Sequence, residues 1–87
     1  MKLITSKGIT YSIDWADGPN RLSNILIIQL QDERSLAVIA AEFEGAETIR
    51  RESETEGDKE WKGYTELLRI SRVMPGVVTI AMAKPAQ

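Results

Sequence analysis

Apolar and polar residues alternate early in the chain, with Ile9, Tyr11 and Ile13 set against Thr10, Ser12 and Asp14. Side chains along a strand point to opposite faces in turn, so this alternation predicts a strand with one apolar and one polar side. Trp15 continues the apolar side. Lys2-Leu3-Ile4-Thr5 is a second short run of the same kind, and Ser6-Lys7-Gly8 lies between them. Gly8 can adopt the positive φ of a tight turn, and the whole reads as a β-hairpin. Ala16-Asp17-Gly18-Pro19-Asn20 breaks the pattern and predicts a turn or loop.

Residues 24–30 (Asn-Ile-Leu-Ile-Ile-Gln-Leu) form the most apolar stretch. Four consecutive branched residues there predict a central strand covered on both faces. The period then changes. Leu36, Ile39, Ala40 and Phe43 recur at the spacing of one helical face. Ser35 stands where an N-cap is wanted, Asp32 and Glu33 precede it, and Gly45 follows the stripe. A helix this short is marginal alone and has to be held by packing Phe43 and its neighbours onto a sheet.

Beyond the helix, residues 47–51 read as an edge strand of mixed polarity and 52–60 as a mobile acidic hairpin loop. Residues 64–73 read as a strand with Tyr64, Leu68 and Ile70 on one face. Met74-Pro75-Gly76 is a turn and residues 77–83 form the last strand, paired antiparallel with the one before it. A polar tail occupies 84–87. The expected fold is a single α+β domain over 1–87 in the order β-β-β-α-β-β-β. One short helix rests on a mainly antiparallel sheet or small open barrel.

Composition narrows the chemistry. The chain has no cysteine and no histidine, which removes disulfides, thiolate metal sites and histidine-assisted nucleophiles. The lack of cysteine fits a reducing compartment, and the expected location is the cytoplasm. Eleven Lys and Arg against thirteen Asp and Glu leave a net charge of −2. No basic field exists to attract nucleic acid; Arg50-Arg51 and Arg69 with Arg72 are too few and too mixed with glutamate. No apolar run approaches the ~20 residues of a membrane-spanning helix.

Residues 52–60 imitate the first half of an EF-hand, with alternate carboxylates and Gly57 sixth from Glu52. The twelfth position, where a bidentate carboxylate belongs, is Gly63, so the segment is read as a solvated loop and no metal is expected. Asp14 with Asp17, and Glu42 with Glu44 and Glu47, are carboxylate groupings at solvent-facing positions, with no sign of the burial acid–base chemistry requires. A carboxylate hydrolase using a divalent ion therefore ranks third among the readings. No glycine-rich phosphate cradle is present, and no cofactor is expected. What remains is contact. Trp15, Trp61 and Tyr64 are the aromatic interface candidates, each set against a place in the core or over its rim, because a domain this small has few large side chains; Trp61 stands out beside the charged loop, with Arg50, Arg51 and Glu52 as a polar rim.

Ser35-Leu36 with Ile39-Ala40, Phe43 and Gly45, then Ile49, Arg51-Glu52-Ser53-Glu54, Gly63-Tyr64-Thr65, Ile70-Ser71-Arg72 and Val78-Thr79-Ile80 together resemble small uncharacterised proteins of Firmicutes prophages. Such proteins are encoded among tail and baseplate genes. The resemblance implies a non-enzymatic structural or assembly component, in a virion or the host cytoplasm, that binds copies of itself or a larger tail protein. The alternative is a small cytoplasmic regulatory or adaptor domain binding a protein through its helix. Ala37, Ala41 and Glu42 make the outer face of that helix bland.

Overall fold

The structure, a computed structural model, describes residues 1–18 and 24–85. Among the described residues, seven strands and one helix follow the order β1 (Lys2–Thr5), β2 (Thr10–Asp17), β3 (Ile25–Gln31), α1 (Leu36–Phe43), β4 (Thr48–Glu52), β5 (Lys59–Lys62), β6 (Glu66–Met74) and β7 (Val77–Ala83). The strands form one sheet in the order β5-β4-β1-β2-β3-β7-β6, and every neighbouring pair is antiparallel. The fold is thus α+β and mainly antiparallel, with one strand more than predicted. That strand is β5, which takes Lys59 and Glu60 out of the expected acidic loop and leaves residues 53–58 as the turn. β5 also covers β4, so β4 is an interior strand and not the expected edge.

The hairpin β1–β2 forms as expected, closed at Gly8 with φ of 80°. Ala16 and Asp17 belong to β2, where a turn was predicted. Pro19 and Asn20 of that turn, and 86–87 of the tail, lie outside the described residues.

One face of the sheet carries the core. Leu3, Tyr11, Ile13, Leu26, Ile28, Leu30, Ile49, Val78, Ile80 and Met82 are buried there, and α1 covers them with Ile39 and Phe43. Ser35 caps the helix, its side chain accepting from the Val38 amide. At the other end the Lys7 ammonium donates to the Ala41 and Glu44 carbonyls, supplying positive charge where the dipole is negative. Arg72 of β6 donates to the carbonyls of Asp32 and Arg34 and ties the start of the helix to the sheet. Phe43 stacks against Tyr11 at 4.8 Å between ring centroids.

The sheet curls. β5 and β6 are its two edges, yet only Gly63–Thr65 joins them. A chain of that length reaches at most about 14 Å, whereas the edges of a flat seven-stranded sheet would stand about 29 Å apart. Trp61 of β5 accordingly meets the end of β2, where a Cβ on Gly18 would lie 2.9 Å from the indole nitrogen.

Candidate functional site

Of the sequence-level interface candidates, the structure brings three inside. Trp61 is 8% exposed and Tyr64 is similarly covered, both within the core cluster. Trp61 shares the inner face with Ile49, its partner in register across β4 and β5. Of the two readings open for these aromatics, the burial fits the core-filling one: the curl closes over both rings, and a chain this small uses its large side chains to fill its interior. Arg51, also buried, sits on the inner face opposite Leu3. Its Nη1 pairs with Glu56 at 2.8 Å, while Nε and Nη2 have no hydrogen-bond partner. Arg50 and Glu52 remain on the outer side, paired with each other. Glu52 borders an open depression of about 820 Å³ lined by Lys2, Glu54 and Asp58 among others. Its charges are of both signs.

A second grouping surrounds the start of the helix. Arg34 bonds both Asp32 (2.7 Å) and Glu42 (2.9 Å), and its guanidinium lies 5.8 Å from the centre of the Tyr11 ring. Tyr11 donates its hydroxyl to Glu42. The hydrogen bonds from Arg34 hold the Asp32 and Glu42 carboxyls below the usual carboxylate range. Burial, then the hydrogen bond and charge of Glu42, push the Tyr11 phenol well above its ordinary value. Arg34 is shared between the two carboxylates and Tyr11 is bonded to one of them, so the group behaves as a clasp between β2, the β3–α1 connection and α1.

The third region is the outer face of β2, β3, β7 and β6; of its residues the sequence singled out Trp15 as an aromatic candidate, but on the opposite side of β2, and it did not assemble the face. A bulge between Ile13 and Trp15 breaks the alternation of β2. With Asp14 as the extra residue, Trp15 comes opposite Gln29 on the outer face, where it is 41% exposed. Asp14 is occupied by the Gln31 amide, 2.7 and 2.9 Å from its two carboxylate oxygens. The same face bears Ile27, Thr79, Ala81, Ser71 and Arg69 in register, with Val73, 53% exposed, beside a second bulge on β6. Ile27, Arg69, Ser71, Val73, Thr79 and Ala81 line a groove of about 270 Å³.

β3 is therefore not covered on both faces as expected. Leu26, Ile28 and Leu30 are fully buried beneath the helix layer, while Ile25, Ile27 and Gln29 are half-buried and face outward. Leu68, expected beside Tyr64 and Ile70, falls in a β6 bulge and is 49% exposed, and Leu67 packs against the core instead.

Among the described residues no group of three or more acidic side chains converges to hold a metal ion, and no helix is long and apolar enough to cross a membrane. No family model, no curated protein and no solved structure matches the chain.

Proposed function

We propose that this protein is a non-enzymatic interaction module that docks a protein partner on the outer face of β2, β3, β7 and β6. The observation that carries this reading is the apolar character of that face. An isoleucine, an alanine and a valine help to line a groove, and an exposed indole stands on the same face, where antiparallel sheets normally place polar side chains. Exposed apolar patches rimmed by polar groups mark contact sites, and Arg69, Ser71, Thr79 and Gln29 supply such groups here. The resemblance to prophage proteins adds a setting, as a component of a tail or of its assembly.

Photo-cross-linking in cells tests the reading. A photoreactive residue at Val73 is expected to give protein adducts, and one at Thr55, in the exposed turn between β4 and β5, none. Adducts at both positions alike, or at neither, would overturn it.

The adaptor reading rests on the helix. Ala37, Val38 and Ala41 are exposed along α1, while Glu42 turns toward Arg34 and Tyr11. Adducts from a photoreactive residue at Val38, with none at Val73, would favour it.

A further inference from the structure

We infer that the partner on this face is a second copy of the chain, related by a two-fold axis that runs along the strands between β3 and β7. The inference rests on the interaction-module reading and names its occupant. Four residues stand in one row across the outer face: Asp17 on β2, Ile27 on β3, Ala81 on β7 and Arg69 on β6. The row has an acid at one end, a base at the other and apolar residues between them. Neither Asp17 nor Arg69 forms an ion pair within the chain among the described residues.

A two-fold interface sets the same patch against itself, so a residue on one side of the axis meets its counterpart's opposite side. With the axis between Ile27 and Ala81, Asp17 of each copy faces Arg69 of the other, twice over. The apolar middle of the row packs against itself.

The next row obeys the same operation. It runs Trp15, Gln29, Thr79, Ser71. The axis carries the exposed Trp15 of one copy over Ser71 of the other, beside Arg69 and Val73, which is the mouth of the groove. The protruding ring stands on the β2 side of the axis and five of the six groove residues on the β7–β6 side, with Ile27 across it, so each copy offers what the other lacks. The middle strands β3 and β7 of the two copies pack about 10 Å apart with aligned directions, and the curl sets β2 and β6 farther back, where the long side chains of Trp15 and Arg69 span the gap.

Laid flat, four strands and seven residues of β3 would define a face of roughly 19 by 23 Å. The curl makes this face convex, so the contact is at most about half of the roughly 800 Å² per partner in a standard interface, and the dimer is weak and concentration-dependent.

Sedimentation velocity over a range of concentrations tests this with charge-swapped variants of the full chain. The wild type is expected to pass from monomer to dimer. Asp17→Arg and Arg69→Asp are each expected to weaken the dimer at least ten-fold, because each sets like charges in contact. The double variant is expected to recover the wild-type constant within a few-fold. So is an equimolar mixture of the two single variants, which pairs opposite charges at both contacts. Ala81→Arg, on the outward side of β7, is expected to leave a monomer with an unchanged circular dichroism spectrum.

A wild type that stays monomeric at millimolar concentration, or single variants that fail to recover on mixing, would overturn the inference. If Val73 then cross-links to a different protein, the interaction-module reading stands and only the identity of the partner falls. If Val73 gives no adduct, both fall.

Discussion

At the scale of single residues, the most instructive position is Arg51. A buried guanidinium with one exposed partner and two nitrogens lacking hydrogen bonds gains little from its charge. Replacing buried ionic groups by apolar ones of similar volume is often neutral or stabilising, whereas removing one partner leaves the other uncompensated. Arg51→Met is thus expected to hold stability constant or raise it by about 1 kcal/mol, and Glu56→Gln to lower it by about 1 kcal/mol. Urea denaturation of the two variants checks both signs. Gly18 tells a simpler story of space. Its missing Cβ leaves room for the Trp61 indole nitrogen, and a methyl group there would sit 2.9 Å from a rigid ring. Gly18→Ala is expected to cost about 1–3 kcal/mol, the usual range for overpacking, and to shift Trp fluorescence. Nothing in the sequence around Gly18 marked that need, because the ring it accommodates is more than forty residues away.

At the scale of elements, the helix was the most legible part. Its stripe, its serine cap and the glycine beyond it all lie within one short segment, and local signals of that kind survive folding intact. Ser35→Ala is expected to lower stability by about 1 kcal/mol, seen as a lower urea midpoint with an unchanged slope. The strands were legible as strands, but which way their side chains face was not always so. Alternation along β2 placed Trp15 with Tyr11 and Ile13, and the bulge moved it to the other side. Leu68 misled in the same way on β6. β5 was hidden because Lys59, Glu60 and Lys62 read as loop; its pairing with β4 and the burial of Trp61 make it a strand. The clasp at Arg34 gives the elements a dependence on pH. Asp32 and Glu42 have folded values below their ordinary ones of about 3.9 and 4.3. The stability they confer is complete above those values and is lost as the pH falls through the depressed ones. Arg34→Met is expected to flatten this acid limb and to cost about 0.5–1 kcal/mol at neutral pH, a modest amount because the pairs lie near the surface. Thermal melts between pH 2 and 7 would show it.

At the scale of the whole molecule, curvature decides what is inside and what is outside. Closure through Gly63–Thr65 brings opposite edges of the sheet within reach of one another and seals Trp61 and Tyr64 within. If the link were a passive tether, doubling its length would cost only about 0.6 kcal/mol in loop entropy. Inserting three Gly-Ser residues after Thr65 is expected to cost clearly more, with Trp61 moving into water. A red-shifted emission together with a lower urea midpoint is the expected result, and a loss no larger than the entropic one would show that the curl needs no such closure. The sequence left Trp61 and Tyr64 open between interior and interface for this reason, and set Arg51 on a polar rim where the structure buries it. A pattern read along the chain has no access to curvature, and curvature covered them.

The bulge in β2 also bears on how such a surface can arise. Trp15 stands outside because the strand takes up Asp14 as a spare residue; straight pairing through Asp14 would carry every residue after Ile13 to the other side and send the indole inward. Deleting Asp14 has the opposite meaning: Ile13 and Trp15 become neighbours, still on opposite sides, and the indole keeps its outward place. What the outward ring depends on is thus the irregularity or the deletion, either of which shifts the count by one, and a variant lacking Asp14 is expected to keep the same exterior on a flatter strand.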